Sequence, residues 1–420
     1  MMLKKEAERY DLKERKYIRG RFKELEEYRD EVWHCNRCNM CKEVFGWHMR
    51  SNQFSDICPP FALHKWETFS AQGRMHIARA LIEEEIGWDD SDRFAEIIFS
   101  CEMCGACTIN ALRIMEESPL EVFRALRARA VDKGLAPPEH KKFYESTTKN
   151  GNPLNAPKEE RLKWLEGLDF KVKILPSEKA EVLLFTGCQY ALEPKVRDTL
   201  KSIATVLNAG GVDFGILGAE EKCCAGIQLL MGERGMFEQF ALENIKTFND
   251  LGVKTVITPC AHCYNTFANE YVEMGDLNFE VIHTVQLINQ LVSDGKIKLG
   301  EVGREAVTYH DPCDLGRKSG VYDDPRKLLT SIGGVELREM ERMRDQTWCC
   351  GGGGGLLEAY PEQAAFAAQE RINEAKVTTG ADSMVTACPW CEYSLKNAVE
   401  ATGSKMKIKD IAEIIQEALV

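Results

Sequence analysis

Apolar and polar positions alternate in a fixed order over the C-terminal two-thirds of the chain. Residues 182–185 form a short apolar run, which predicts a buried strand, and Val196, Leu200, Ile203 and Leu207 follow at helical spacing. A short apolar run followed by an amphipathic segment is typical of strand–helix units that build a parallel sheet.

This order continues and then repeats. After Gly210 and Gly211, which end the first helix, the pattern predicts further strands and helices over 212–217, 237–251, 254–258 and 279–292. A second unit shows the same order over 307–309, 361–375, 383–386 and 406–419. We therefore predict a duplicated, Rossmann-like α/β unit, in which ligands gather at the carboxyl ends of the strands.

The N-terminal part shows helical spacing instead. Residues 1–32 predict a charged helix, which we interpret as packing on its own domain, and 75–86 and 120–131 predict two more helices. A polar, proline-bearing stretch then predicts a linker. The predicted parts are a helical domain over 1–145, a linker over 146–178, and two α/β units over 179–300 and 301–420.

Composition narrows the class of protein. A chain of 420 residues with 44% hydrophobic residues can bury several cores, and its length suggests two to four domains. The net charge of −12 argues against nucleic acid as a partner. We expect a cytoplasmic protein, because no secretory signal and no membrane-spanning run is visible. Attachment to a membrane through a partner protein stays open.

The cysteines give the strongest chemical signal. All seventeen fall into an N-terminal group of seven and two sets of five: Cys35, Cys38, Cys41, Cys58, Cys101, Cys104 and Cys107; Cys188, Cys223, Cys224, Cys260 and Cys263; Cys313, Cys349, Cys350, Cys388 and Cys391. Disulfide scaffolds are short and secreted, and structural zinc uses four ligands. The spacings therefore indicate iron and sulfide, and with them electron transfer.

The N-terminal group resembles a bacterial two-cluster ferredoxin. One half is C-x-x-C-x-x-C followed later by Cys58-Pro59, and the other is C-x-x-C-G-x-C. In such ferredoxins the cysteine before proline ligates the other cluster, so the second cluster would take Cys101, Cys104, Cys107 and Cys58. The first cluster would take Cys35, Cys38, Cys41 and the residue at 111.

Residue 111 is Ala111, with Leu112 where proline would stand, so the first cluster lacks one expected ligand. Three explanations stay open: a non-cysteine fourth ligand, a three-iron cluster, or a different use of Cys58. The nearby candidates for a fourth ligand are His34, His48, Asn110 and Ser118.

Adjacent cysteines mark both sets of five. Neighbouring side chains of an extended chain point apart, so Cys223 and Cys224 favour different irons of one larger cluster, with a vicinal disulfide as the rival interpretation. The same holds for Cys349 and Cys350. The glycines at 351–355 lack the GK[ST] of a phosphate loop. They favour a close approach of the backbone to the cluster, with N–H groups that donate to its sulfurs. They also predict more room for a substrate beside the cluster of the second unit than beside that of the first.

Each set of five, read as a lone cysteine, a CC pair and a C-x-x-C pair, resembles the CCG cysteine-rich domain found in the B-type chain of heterodisulfide reductases. With the ferredoxin-like domain, residues 33–420 resemble the D-type chain of heterodisulfide reductases and related iron–sulfur oxidoreductases. The resemblance implies one noncubane [4Fe-4S] cluster per CCG unit, held by five cysteines, beside two N-terminal [4Fe-4S] clusters. It also implies a disulfide substrate between the CCG clusters, so the nearest catalytic candidates are Cys313, Cys349, Cys350, Cys188, Cys223 and Cys224. Ala225 replaces the motif glycine of the first unit.

Three functions compete. The chain is a catalytic component that reduces a disulfide or oxidises a thiol pair, which predicts a pocket for a thiol-bearing ligand between the CCG clusters. Alternatively it is a relay from a flavoprotein to a membrane cytochrome or quinone module, or to a larger reductase such as a benzoyl-CoA reductase complex. The third hypothesis is a zinc-stabilised scaffold. The missing cysteine at Ala111 favours the relay.

Four further residues are candidates for roles beside the clusters. His283 and His310 follow predicted strands, where they would donate protons or orient the cluster loops. Arg317 and Lys318 follow Cys313, where they would attract an anionic substrate or be solvated.

Overall fold

The structure is a computed structural model that describes residues 22–44, 51–89, 91–115 and 118–420, with side chains left undescribed at 112–115. Most of the charged helix predicted over 1–32 and the candidate ligand His48 therefore lie outside the described residues. In the described part of the chain, no helix combines the length and the apolar character that crossing a membrane requires.

The N-terminal part is helical, as predicted. Its helices are α1 (Arg29–His34), α2 (Pro59–His64), α3 (Ala71–Ile82), α4 (Asp92–Phe99), α5 (Ala106–Met115), α6 (Pro119–Asp132) and α7 (Pro138–Asn150). The helix predicted over 75–86 begins earlier because the Ser70 side chain caps it, accepting the Gly73 N–H at 3.1 Å. Apolar faces of α3, α4 and α6 share one core with buried Phe99 and Phe123.

The first α/β unit contains five parallel strands in the order β1-β3-β2-β4-β5. The strands are β1 (Lys173–Ile174), β2 (Val182–Leu184), β3 (Phe214–Ile216), β4 (Thr255–Thr258) and β5 (Glu280–His283). The helices are α8 (Cys188–Leu192), α9 (Thr199–Ala209), α10 (Gly226–Leu230), α11 (Arg234–Leu251), α12 (Ala261–Asn265) and α13 (Thr284–Ser293). The four apolar positions predicted on one helix face, Val196 to Leu207, are all buried.

The second unit repeats this architecture with four parallel strands in the order β7-β6-β8-β9. The strands are β6 (Glu301–Tyr309), β7 (Gly333–Leu337), β8 (Ser383–Thr386) and β9 (Lys407–Asp410). The helices are α14 (Asp323–Ser331), α15 (Leu356–Ala359), α16 (Pro361–Thr379), α17 (Pro389–Thr402) and α18 (Ile411–Glu417). This order matches β3-β2-β4-β5 of the first unit, which confirms the predicted duplication and parallel sheets.

Residues of the predicted linker pack against the first sheet. Residues 158–165 form a 3-10 helix in which Trp164 is fully buried, and β1 adds an edge strand beside β3. The domain boundaries given above stay a prediction, but this stretch contributes directly to the first unit.

The two units pack against each other through buried polar contacts. Tyr190 on α8 donates its hydroxyl hydrogen to Asp410 at 2.7 Å, and Thr199 on α9 donates to Glu392 on α17 at 3.1 Å. Asp410 also caps α18 by accepting the Ala412 N–H. These contacts fix the cysteine-bearing loops of one unit against those of the other.

Candidate iron–sulfur site

All seventeen cysteines lie in the described part of the chain, and every one is a free thiol. Cys223 and Cys224 are therefore not joined to each other, and neither are Cys349 and Cys350. The rival interpretation of a vicinal disulfide has no counterpart in this structure, and the sulfurs remain available as ligands.

The five cysteines of the first unit converge at the carboxyl edge of its sheet. Cys188 follows β2, the adjacent pair follows β3, and the last two flank the start of α12. The Cys188 thiol contacts that of Cys223, which in turn contacts that of Cys224. The sulfurs of Cys224 and Cys263 are 3.5 Å apart, and Cys263 also contacts Cys260. The chain of thiol contacts brings all five sulfurs to one buried place.

The second unit places its five cysteines in the same arrangement. Cys313 contacts Cys349, which contacts Cys350; Cys350 contacts Cys391, which contacts Cys388. Four of the five are buried and Cys313 is half-buried. The order of contacts along the two sets is the same, as duplication of one ligand pattern predicts.

The two sets touch each other. Cys260 of the first unit and Cys388 of the second are in side-chain contact. A cavity of about 30 Å³ is lined by all five cysteines of the second set, together with Ala261 and His262 of the first unit. That volume is close to one water's share of the liquid. Because the five sulfurs of one set surround it, this cavity is the place where that set would hold a cluster, and it is not the pocket between two clusters that the disulfide-reductase hypothesis predicts.

The N-terminal group reaches the second unit through Cys104. Its thiol contacts that of Cys349, and this hydrogen bond, with the charge of Arg317, lowers the pKa of Cys104 to about 5. Arg317 donates from Nε to the carbonyl of Cys104 at 3.0 Å and from Nη1 to that of Thr347. One guanidinium therefore holds both loops.

The other N-terminal cysteines lie beside Cys104. Cys58 is electrostatically coupled to Cys101, and Cys107 to Cys101, Cys104 and Cys41. Cys41 is coupled to Cys35 and Cys38, and burial raises the pKa of Cys41 to about 11. Cys38 is exposed. The cysteines thus form one series from an exposed thiol to the two buried sets.

Position 111, where the ferredoxin pattern would have a fourth cysteine ligand, carries a small buried side chain. Ala111 is 4% exposed and offers no ligand atom. Asn110 beside it is fully engaged, since its amide nitrogen donates to the carbonyls of Met40 and Glu43 and its oxygen accepts from Gln346 at 3.1 Å. The side chain of Asn110 therefore braces the Cys41 loop instead of reaching for a metal.

The sulfur environment fits an iron–sulfur cluster. Backbone N–H groups donate to cysteine sulfurs at 3.3–3.4 Å in all three cysteine groups. The donor–sulfur pairs are Met103 to Cys101, Ala225 to Cys223, Gly351 to Cys349 and Gly352 to Cys350. Such donors stabilise thiolates and tune cluster potentials. Five thiols in mutual contact exceed what a four-ligand zinc site uses.

Arg161 supports the first set and lay outside the sequence prediction. It is 1% exposed, donates to Cys188 Sγ at 3.2 Å, and pairs with the equally buried Glu221 at 2.9 Å. Glu221 in turn accepts the backbone N–H groups of Thr186 and Gly187. The position of Arg161 in a predicted linker carried no signal of this role.

The histidines near the cysteines are buried and engaged. His310 accepts from Arg371 at 3.0 Å and lies within 4.8 Å of Cys350 and Cys391, so it is a further candidate ligand. His283 accepts the Val285 N–H and caps α13, and burial lowers the pKa of His283 to about 4. These contacts orient loops; proton donation by either ring stays a prediction.

Arg317 and Lys318 are occupied by the protein itself. Arg317 binds the two carbonyls named above, and Lys318 pairs with Asp314 at 2.6 Å; both are buried. Asp314 also binds His262, which the sequence analysis did not single out, at 2.7 Å. Neither basic residue is solvated, and neither is placed to attract an anionic substrate from solution.

The glycine run packs against the N-terminal part. A β-carbon at Gly353 would lie 2.8 Å from the Glu102 carbonyl oxygen, and at Gly354 2.5 Å from that of Cys101. A β-carbon at Gly355 would lie 2.5 Å from His140 Nε2. The glycine run thus permits a close approach between two backbone segments, as predicted. The space left by the missing side chains, however, is filled mostly by the N-terminal helical part of the same chain.

Comparison with known proteins agrees with this geometry. The family model described as the CCG cysteine-rich domain matches residues 182–268 and 307–396. The D-type chain of the dihydromethanophenazine:CoB–CoM heterodisulfide reductase of Methanosarcina mazei is 31% identical over 396 residues, which cover 93% of this chain and 94% of that protein.

Two longer relatives match in part. The EtfAB:quinone oxidoreductase of Syntrophomonas wolfei is 31% identical over 77% of this chain and 47% of its own length. The Bacillus subtilis protein named "Probable iron-sulfur-binding oxidoreductase FadF" is 30% identical over the same shares. The chain spans about half the length of both proteins.

Proposed function

The chain belongs to the family formed by the D-type chains of heterodisulfide reductases, and from that premise we propose that it carries electrons between its N-terminal cysteine group and a disulfide-reducing site at the paired CCG units. The observation that carries the proposal is the unbroken series of sulfur contacts. It runs from Cys104 to Cys349 and, through Cys388 and Cys260, into the first unit.

The proposed ligand sets rest on the cysteine spacings and are supported by the sulfur contacts within each set. Each CCG unit would hold a noncubane [4Fe-4S] cluster through its five cysteines, and Cys58, Cys101, Cys104 and Cys107 would hold a [4Fe-4S] cluster. Cys35, Cys38 and Cys41 would hold a second cluster with a fourth ligand other than residue 111. Bound clusters of this kind supply one-electron oxidation and reduction.

The protein's own residues set the conditions for that chemistry. The buried pair of Arg161 and Glu221 keeps the Cys188 thiolate in place, and Arg317 keeps the Cys104 and Cys349 loops at a fixed separation. Nine of the ten cysteines in the two sets are buried, and only Cys313 is half-buried, which limits the access of water to the sulfurs. Exposed Cys38 marks the end at which an external redox partner would exchange electrons.

The reaction proposed for the CCG pair consumes two electrons and two protons. The sulfur–sulfur bond of a disulfide breaks, each sulfur gains one electron and one proton, and two thiols leave. A partner redox protein supplies the electrons, either a flavoprotein or a membrane cytochrome or quinone module, and solvent supplies the protons.

A second function, an electron relay without its own substrate, is favoured by one observation. Cys260 of one set touches Cys388 of the other, and the 30 Å³ cavity beside this contact is lined by the second set's own cysteines, so the described residues leave no space there for a whole organic disulfide. In that case the chain passes electrons from a flavoprotein to another protein of a complex, and its CCG pair reacts with no disulfide.

One experiment separates the two. The full chain, purified and reconstituted anaerobically, is reduced with methyl viologen and mixed with organic disulfides. Disulfide-dependent oxidation of viologen, with two thiols released per disulfide, supports the reductase. No turnover with any disulfide, together with rapid reduction by a flavoprotein, would establish the relay. Protein reconstituted with zinc serves as the matched control.

A further inference from the structure

His310 follows the carboxyl end of β6, and its side chain reaches the sulfurs of the second set. The residue is 1% exposed. One ring nitrogen of His310 and the sulfurs of Cys350 and Cys391 all lie within 4.8 Å of one another. The ring is also in hydrogen-bonding contact with the Cys350 thiol. The imidazole therefore lies at the place where the second set would hold its cluster.

Arg371 decides which nitrogen of this ring carries the hydrogen. The Nε of Arg371 donates to Nδ1 of His310 at 3.0 Å. A guanidinium group has donors only, so Nδ1 must accept, and the hydrogen of the neutral imidazole is then on Nε2. Neither nitrogen keeps a free lone pair for iron. The ring therefore offers an N–H group to a sulfur instead of a bond to the metal.

The orientation of Arg371 is fixed by further buried contacts. Its Nη1 donates to the Glu374 carboxylate and to the Arg342 carbonyl, each at 2.8 Å, and its Nη2 donates to the Thr347 hydroxyl at 3.2 Å. Arg371 and Glu374 are both fully buried. Rotation of the guanidinium away from His310 would break these hydrogen bonds, so the fold keeps the tautomer of His310 fixed.

The first unit has a different side chain at the equivalent position. Phe185 and His310 each stand three residues before the first cysteine of their set. Their backbone N–H groups bind equivalent strands, that of Phe185 to the Ile257 carbonyl and that of His310 to the Val385 carbonyl, each at 2.8 Å. The Phe185 ring packs edge-on against two other phenylalanine rings and has no polar hydrogen to donate. The duplicated fold therefore gives the two sets different surroundings at this position.

We propose that His310, held in the Nε2–H tautomer by Arg371, donates a hydrogen bond to the Cys350 sulfur and makes the cluster of the second set easier to reduce. One electron from the redox partner adds a negative charge to the cluster, and a donor beside a ligating sulfur stabilises that charge. Arg371 acts through His310 and is a positioning residue. The inference rests on the part of the proposed function that assigns a cluster to each set, and not on disulfide reduction.

The first test is a potentiometric titration of the anaerobic, cluster-loaded full chain, followed by electron paramagnetic resonance. His310→Phe introduces the residue of the first unit and removes the donor. We expect the equilibrium constant for reducing the second set's cluster to fall about tenfold, which corresponds to about 59 mV for one electron. The first set's cluster in the same molecule is the control and should keep its potential. An unchanged potential at the second set, or equal shifts at both sets, would overturn the inference.

A conservative variant separates hydrogen bonding from packing. In His310→Gln, the amide oxygen can accept from Arg371 and the amide nitrogen can donate to Cys350, and the side chain does not titrate. We expect this variant to keep most of the potential that His310→Phe loses. The same loss in both variants would show that the donated hydrogen bond is not the cause, and the inference would fail.

A measurement on the unaltered chain does not depend on the folding of a variant. With isotope-labelled histidine nitrogens, pulsed electron paramagnetic resonance of the reduced second-set cluster should show the weak coupling of a hydrogen-bonded ring. That coupling should disappear in His310→Gln, which also assigns the signal to the second set. The strong coupling of a directly coordinated nitrogen, or no nitrogen coupling, would overturn the inference.

The outcomes keep this inference apart from the proposed reductase function. A lower potential in His310→Phe, together with no turnover of any disulfide, would reject the reductase function and leave the inference standing. Disulfide turnover by a chain whose potential does not change in His310→Phe would reject the inference alone. A second set that takes up no iron would overturn both.

Discussion

The thiols of Cys104 and Cys349 are in hydrogen-bonding contact, although Cys104 belongs to the N-terminal helical part and Cys349 to the second CCG unit. Arg317 fixes this contact by binding the carbonyls of Cys104 and Thr347. Arg317 therefore holds together the two backbone loops that carry these thiols. The contact between the two thiols connects the N-terminal cysteines to the paired sets through the second unit, which under the proposed function is the point of electron entry.

Arg127 should stabilise the packing of the N-terminal part against both units. It is fully buried and donates to the carbonyls of Cys101, Leu230 and Gly354, among others. Arg127→Lys keeps the positive charge but loses the planar guanidinium that binds several carbonyls at once. We expect the free energy of unfolding to fall by roughly 3 kcal/mol, which is measured as a shift in the midpoint of urea unfolding.

The matched control for that change is Arg129→Lys on the same helix. Arg129 is partly exposed and pairs with Glu26 at 2.6 Å, so its replacement should cost less than about 1 kcal/mol. Similar shifts of the urea midpoint in the two variants would contradict the role assigned to Arg127.

Gly351 and Ala225 occupy equivalent places after the CC pairs and should respond differently to a methyl group. Both have positive φ, +81° and +56°. A β-carbon at Gly351 would lie 2.4 Å from the Ala364 carbonyl oxygen. We expect Gly351→Ala to cost roughly 2–4 kcal/mol through overlap and strain. Ala225→Gly should change stability by less than about 1 kcal/mol. Thermal unfolding tests both, and a tolerated Gly351→Ala would refute the packing argument.

His140 should make the interface sensitive to acid. It is fully buried, its Nε2 lies 2.9 Å from the Gly355 carbonyl oxygen, and burial lowers the pKa of His140 from 6.5 to about 4. As the pH falls, His140 therefore becomes protonated in the unfolded chain at a higher pH than in the folded chain. The contribution of neutral His140 to the free energy of unfolding is complete above pH 6.5. It is lost as the pH falls towards 4, by roughly 2 kcal/mol on reaching about pH 5.

The control for this pH dependence is His140→Gln, which cannot titrate. The difference in urea midpoint between the two proteins should shrink from about pH 7 to about pH 5. A constant difference across that range would show that His140 does not contribute to acid sensitivity.

Ala111→Cys should restore an ordinary ligand pattern at the first N-terminal cluster. Asn110 binds the carbonyls of Met40 and Glu43, which places this turn of α5 beside the Cys41 loop. We expect the variant to gain about one cysteine-ligated iron, or a more stable cluster, in iron analysis and Mössbauer spectra. Ala111→Ser, which lacks a thiolate, is the control. Unchanged spectra in Ala111→Cys would place residue 111 away from the cluster.

The repeat was predictable because its signals are local. Short apolar runs, amphipathic helices and glycines at helix ends place β2, β4 and β8 within one residue of the predicted bounds. Each cysteine group follows a strand, and carboxyl ends of parallel strands share one edge. Convergence of each set of five sulfurs therefore follows from the pattern alone.

The supporting contacts were not predictable, because they join distant segments to backbone atoms. Arg127 and Arg317 bind carbonyls, which every residue carries, and Arg161 lies in a stretch whose composition predicts a linker. The sequence showed Arg317 and Lys318 only as charges after Cys313. Their burial depends on how the N-terminal helices cover the second unit, which no periodicity encodes.

The most direct test of the account is electron paramagnetic resonance of the full chain during stepwise anaerobic reduction. Because Cys104 contacts Cys349 and Cys260 contacts Cys388, clusters at these sites should show magnetic interaction when neighbouring ones are reduced. Split or broadened signals that depend on cluster pairs would support the account. A sum of isolated, non-interacting signals, or a colourless protein that holds zinc, would contradict it.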